Sequence, residues 1–151
     1  MADNIKIIAK NKRAGYDYSL QEKVEAGIVL TGTEVKSLRQ GKVNLSDAYV
    51  MVSDDGEAWI YNLSIPPYEF GNINNHEEKR KRKLLLHDTQ IAHLFDQIRI
   101  QKVTAIPTMI YFRKSLAKIE IALGKGKNLY DKRQDLAKKD AQKKLRRGDY
   151  D

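Results

Sequence analysis

Glu25-Ala26-Gly27-Ile28-Val29-Leu30-Thr31-Gly32-Thr33-Glu34-Val35-Lys36-Ser37-Leu38-Arg39 reads as a strand that runs straight into a helix. Ile28, Val29 and Leu30 form a short apolar run, too short for a helix and suited to a buried strand. Thr31-Gly32-Thr33-Glu34 has the S/T-x-x-E form of a capping box. There the Thr31 hydroxyl accepts from the Glu34 amide, and the Glu34 carboxylate reaches back to the Thr31 amide. Val35 and Leu38 give the i, i+3 stripe of a short amphipathic helix, and Gly41 ends it. Lys36, Arg39 and, just beyond, Lys42 fall on the other face. The element offers core on one side and cations on the other. Those cations read either as a solvated face or as a polyanion contact.

Upstream, Ile5, Ile7 and Ile8 are expected to pair with a sheet edge. Asn11-Lys12-Arg13-Ala14-Gly15-Tyr16-Asp17-Tyr18 mixes cations, an amide and aromatics. Aromatics among cations can stack on bases while the cations hold phosphates. The structural alternative puts Tyr16 and Tyr18 on one face of a strand, packed on the core.

Downstream, a hairpin is predicted from Ala48–Ser53, an Asp54-Asp55-Gly56 turn and a return strand over Ala58–Ile65. Trp59 and Tyr61 fall on one side of the return strand and Ile60 on the other, and Pro66-Pro67 stops it. Residues 66–78 read as a loop. Lys79-Arg80-Lys81-Arg82-Lys83 is a run of cations that wants a counter-anion and suits phosphate, although a solvated loop or a nuclear localisation signal shares its composition. Asp88 is placed to cap a helix whose Ile91, Leu94, Phe95 and Ile98 have core-facing spacing. Val103–Phe112 is strand-like, with Pro107 marking an edge or a bulge. Arg113-Lys114-Ser115 turns the chain into a strand on which Ala117, Ile119, Ile121 and Leu123 alternate with Lys118, Glu120 and Ala122.

The last stretch, residues 124–151, differs in kind. Ten Lys and Arg stand against five Asp there, while the whole 151-residue chain carries 28 Lys plus Arg, 20 Asp plus Glu and a net charge of +8. Leu129, Leu136 and Leu145 are too few to offset the entropy of ordering it, so it should be disordered alone. Asp135/Lys139 and Asp140/Lys144 are favourable i, i+4 pairs, so a helix is latent against an anionic surface. The chain thus divides into a body, residues 1–123, and a basic tail, 124–151. The expected fold is mainly β: an OB-fold-like small β-barrel with a few flanking helices.

A basic balance suits nucleic acid or an acidic membrane surface. With no cysteine, disulfides and thiolate metal sites are excluded. No signal-peptide h-region or membrane-length run occurs, so a soluble cytoplasmic protein is expected. His76, His87 and His93 have no zinc-ligand spacing. His93 is expected at the surface of the long helix; His87 suits either a satisfied core histidine or an RNA-stacking group. Gly124-Lys125-Gly126-Lys127-Asn128 lacks the spacing and the Ser/Thr of an NTP-binding loop. An enzyme is therefore the weaker class, and no cofactor is expected.

Three blocks stand in order: Glu25 to Arg39; Arg80-Lys81-Arg82-Lys83-Leu84-Leu85-Leu86-His87; and Gly126-Lys127-Asn128-Leu129-Tyr130-Asp131-Lys132-Arg133. Together they resemble the bacterial SsrA-binding protein family, small protein B, over nearly the whole chain. The resemblance implies an OB-fold body, no catalysis, and a role in trans-translation. The body would bind the tRNA-like domain of transfer-messenger RNA and deliver it to stalled ribosomes. The tail would enter the vacant message channel of the small subunit near the decoding centre and become helical. Asn11, Arg13, Glu25, Leu85, His87 and Lys118 match the family's RNA-binding face. Asp131, Lys132 and Arg133 match its tail signature, and Tyr130 stands where a residue can stack on a decoding-centre base. Lys12, Lys36, Arg39, Arg80, Arg82, Lys83, Lys125 and Lys127 are the remaining candidate phosphate contacts. Asn128, Glu78 and Asp88-Thr89-Gln90 depart from the family's usual residues. A monomer without membrane contact is expected. On charge and fold class alone, a general OB-type single-strand RNA binder or ribosome-associated protein is the alternative.

Overall fold

A computed structural model describes residues 5–70 and 75–126. The elements in chain order are β1 (Ile5–Lys10), α1 (Ala14–Asp17), β2 (Tyr18–Ile28), α2 (Gly32–Arg39), β3 (Tyr49–Val52), β4 (Ala58–Tyr61), β5 (Arg82–Leu85), α3 (Asp88–Arg99), β6 (Thr104–Arg113) and β7 (Leu116–Gly126). The strands form one antiparallel sheet in the order β1-β6-β3-β4-β5-β2-β7, and β7 pairs back on β6. Closure of that ring makes the expected small β-barrel. One edge of β6 meets β7 along its length; β3 joins β6 at Ala105, and β1 joins it at Met109–Arg113.

Each junction has a local cause. At α2 both halves of the capping box form: the Thr31 hydroxyl accepts from the Glu34 amide, and the Glu34 carboxylate accepts from the Thr31 amide at 2.8 Å. The helix stops where Gly41 takes φ +75°, so that the Gly41 and Lys42 amides bond back to Leu38 and Ser37 carbonyls. Pro107 does mark a bulge: the β6–β7 register slips between Pro107 and Met109. Lys114 and Ser115, both at positive φ, make the tight turn between those strands. The barrel interior is aliphatic, with Ile60, Leu63, Ile65, Ile110, Ile119 and Ile121 at zero exposure. Leu38 of α2 and Leu94 of α3 join the same core, with Ile91 and Ile98 packed against it. Phe95, expected in that stripe, lies at its margin under the Arg99 guanidinium.

Several expectations need correction. The strand placed at Ile28–Leu30 is the end of an eleven-residue strand that starts at Tyr18. Its first half pairs with β7 while turning mostly polar side chains to solvent, which hides it from an apolar search. Val29 lies just past the strand's end, its amide still donating to the Lys83 carbonyl at 3.0 Å, and is 45% exposed. The return strand of the hairpin ends at Tyr61, because Asn62 turns to φ 59°; beyond it a single bridge joins Ser64 to Asn44. Tyr16 lies in the one-turn helix α1 and Tyr18 begins β2, so the two do not share a strand face. Asp88 is the first helical residue of α3; His87 occupies the cap position, and its amide donates to Gln90 Oε1 at 2.9 Å. Finally, β7 carries Gly124, Lys125 and Gly126, so the folded body passes the boundary expected at residue 123. Residues 127–151, and with them Lys127, Tyr130, Asp131, Lys132 and Arg133, lie outside the described residues.

Candidate nucleic-acid interface

Strand β2 sits between β5 and β7, and the register sets Gly27 opposite both Leu85 and Lys118. An added Cβ at Gly27 would stand 3.2 Å from Leu85 Cβ. The missing side chain opens a groove of about 380 Å³ lined by Glu25, Gly27, Leu85, Leu86, His87, Gln90 and Lys118. Four candidates from distant parts of the sequence, Glu25, Leu85, His87 and Lys118, therefore share one site. Leu85 is 55% exposed, an unusual position for a large aliphatic side chain on a strand. The His87 ring is exposed, which removes the core-histidine reading.

The Glu25 carboxylate is oriented from beneath. It accepts from the Tyr111 hydroxyl at 2.5 Å and lies 2.9 Å from the Arg113 guanidinium. Burial first, and then the Glu25 carboxylate, push the Tyr111 hydroxyl up to about 12. Tyr111 thus stays a proton donor to Glu25 at neutral pH. The site combines a fixed acceptor, an apolar knob, an exposed imidazole and an ammonium. That set can meet base edges or sugar hydroxyls, a base face and a phosphate at once.

The Lys79–Lys83 run is divided between the turn before β5 and the alternation of Arg82 and Lys83 on that strand. Arg82 is fully buried, and all five of its N–H groups have acceptors. Nε donates to the Glu34 carboxylate; the two terminal nitrogens donate to the carbonyls of Leu63, Arg80, Glu77 and Glu78. Arg80, about a third exposed, grips the same carboxylate at 2.5 and 3.1 Å. Arg82 is therefore corrected from a phosphate contact to an interior brace, and Arg80 is largely committed to the same task. Burial pushes the Glu34 carboxyl up, but hydrogen bonds from Arg80 and the Thr31 amide, with the charge of Arg82, outweigh it and hold the carboxyl below its ordinary range. Only the lysines of the run face out. Lys81 lies over the Trp59 ring, and Lys83 pairs with Glu57 at 2.8 Å.

A profile described as "SmpB protein" matches residues 8–149. The chain belongs to the SmpB family. It is 56% identical to the SsrA-binding protein of Pelobacter propionicus, over 93% of this chain and 91% of that protein. It is 49% identical to that of Desulfitobacterium hafniense, over 97% and 93%. A solved SmpB structure, described as "tmRNA-SmpB: a journey to the center of the bacterial ribosome", is 43% identical and superposes with a TM-score of 0.68, covering 80% of this chain and 85% of that one.

The other candidates of this SmpB chain do not join the groove. Asn11 seals the seam where β1 leaves β6: its side-chain amide donates to the carbonyls of Pro107 at 2.9 Å and Leu45 at 3.3 Å, and its oxygen accepts from the Arg13 amide. Arg13 leans on Asp17, 3.3 Å away, in a separate cleft that also holds Asp47. Lys12 is exposed beside it. Lys36 and Arg39 stand exposed on α2, with Lys36 over the Tyr68 ring, and Lys125 is exposed on β7 opposite Ser19. His76, in the loop expected over residues 66–78, is half-buried. The His76 ring links α2 to the end of the hairpin, bonding Thr33 Oγ1 at 2.9 Å and the Ile65 carbonyl at 2.8 Å. Sequence reasoning missed Gly27, Leu86 and Gln90 in the lining of the groove, and Tyr111 and Arg113 as the groups that hold Glu25. Gly27 and Gln90 lie beside named candidates, but only strand register brings Tyr111 and Arg113 to Glu25.

Proposed function

We propose that this protein binds the tRNA-like domain of transfer-messenger RNA and delivers it to stalled ribosomes for trans-translation, without catalysing a reaction itself. The observation that carries this reading is the convergence of Glu25, Leu85, His87 and Lys118 in one groove, on a chain that belongs to the SmpB family. Lys118 supplies the charge that holds a phosphate. Glu25, held in place by Tyr111, accepts from a sugar hydroxyl or a base edge. Leu85 and the His87 ring provide a flat, partly apolar seat for an unpaired base. The chain after Gly126, with Tyr130, Asp131, Lys132 and Arg133, is the second limb. It enters the vacant message channel of the small subunit and folds there against ribosomal RNA. The adaptor works in the cytoplasm, where both partners are found.

Competition binding tests the first limb. The tRNA-like domain should outcompete an unstructured RNA of equal length, with affinity that falls steeply as salt rises. Equal affinity for the two would favour a general single-strand binder instead. Truncation tests the second limb: a chain ending at Gly126 should keep RNA affinity and lose tagging of nascent peptides on stalled ribosomes. If the truncated chain still supported tagging, the two-limb mechanism would be wrong.

A further inference from the structure

Beyond Leu85 the outer face of the sheet continues across β5 to β4 and β3. Alternation along β5 turns Arg82 and Leu84 inward and Lys83 and Leu85 outward, with Lys81 outward just before the strand. Trp59 of β4 is opposite Lys83; Met51 of β3 is opposite Trp59, and Tyr49 is opposite Tyr61. Val50, Val52, Ala58 and Ile60 of the same two strands fill the core, so these outward side chains are not needed there. Tyr49 and Met51 are 38% and 41% exposed. The Tyr49 and Tyr61 rings stack with centroids 5.4 Å apart and planes 15° from parallel. The Lys81 ammonium lies 4.5 Å from the Trp59 ring centroid. Flat rings interleaved with ammonium groups are the chemistry of a platform for unpaired bases. The carboxylates nearby are Glu57, paired with Lys83, and the acids of the hairpin tip, Asp54 and Asp55. From strand spacing, Trp59 lies roughly 8 Å from Leu85, so one RNA strand can touch both.

We propose that Trp59, Lys81 and the Tyr49–Tyr61 pair form a second part of the RNA interface, on which unpaired bases of the RNA held in the groove stack. A base takes the face of Trp59 that Lys81 now covers, and the displaced ammonium turns to a flanking phosphate. This rests on the groove reading given above and extends it across β5 to β4 and β3.

Trp59 is the chain's one tryptophan, so its emission reports on the platform directly. The full-length protein is titrated with the tRNA-like domain of transfer-messenger RNA while affinity is followed in parallel by filter binding. Trp59 emission should be quenched with the same midpoint as binding. Tyr49→Ser, an exposed position, should weaken binding about tenfold for one lost stacking partner while its thermal midpoint stays near wild type. Lys118→Ala should weaken binding yet show the full quench at saturation, which separates platform from groove. If the RNA binds wild type but either the quench or the Tyr49→Ser loss is missing, the platform is refuted and the groove stands. If the RNA does not bind wild type, both fall. A quench that appears only when ribosomes are added also overturns the proposal, because the occupant would then be ribosomal.

Discussion

Replacing Arg82 with methionine separates two roles that its position in a basic run would confuse. The side chain is wholly buried, and its loss strands the Glu34 carboxylate and the carbonyls of Leu63, Glu77 and Glu78. Removing one partner of a buried ion pair destabilises by about 3–5 kcal/mol. Arg80 still contacts Glu34, which keeps the cost within that range. At about 2–4 °C per kcal/mol for a chain of this size, the thermal midpoint of Arg82→Met should fall by roughly 6–20 °C. Adding Glu34→Gln should recover part of the loss, because the second change removes the stranded charge. Circular dichroism melts measure the first effect. The salt dependence of RNA binding, taken well below the lowered midpoint, measures the other. A phosphate contact would reduce the log–log salt slope by about one, whereas an interior brace leaves it unchanged. A variant that melts like wild type and loses a unit of salt slope would refute the burial argument outright. Lys83→Met is the internal comparison: its pair with Glu57 is exposed and should contribute under about 1 kcal/mol.

Three further outcomes follow from the geometry. The folded protein holds the Glu34 carboxyl below its ordinary range, so the stabilisation it supplies is present above the unfolded-state value, about 4, and is lost as pH falls through the depressed one. Urea midpoints of Glu34→Gln should accordingly be lower at neutral pH and flatter against pH in acid; a curve parallel to wild type would contradict the pairing. Tyr111 is held up at about 12 against an ordinary 10. Ultraviolet titration should show a late component that disappears in Tyr111→Phe and moves earlier in Glu25→Gln, and stability should fall as pH rises from about 10 towards 12 because the unfolded chain releases that proton first. At the groove, Gly27→Val places branched carbon against Leu85 and should weaken RNA binding at least tenfold by filling the site. Lys118→Ala should weaken binding to all RNAs alike and lower the salt slope by about one. Unchanged affinity in both variants would move the interface elsewhere.

Features that depend on neighbours in the chain were legible without coordinates. The capping box at Thr31 and Glu34, the stop at Gly41, the core stripe of α3, the bulge at Pro107 and the alternation of β7 each involve residues a few positions apart. Their physics is one of backbone torsions and side-chain period, which a string of letters preserves. The resemblance of three blocks to the SmpB family then named four residues that the fold does bring together.

What the letters left open was decided by register between distant strands. Glu34 announces itself as a helix cap, yet it is also the shared anion for Arg80 and Arg82, 46 and 48 residues away. Five adjacent cations look equivalent in sequence; the period of β5 sends Arg82 wholly inward and Lys83 outward, while Lys79 and Lys81 lie outside in the chain before it. Gly27 becomes a groove floor only because β2 pairs with β5 on one side and β7 on the other. Composition therefore determined that this chain is basic enough to seek a polyanion, and local pattern determined its helices and several of its strands. Which cations are free to do so was settled only when barrel closure assigned each side chain an inside or an outside, because a buried guanidinium must find its acceptors within the protein.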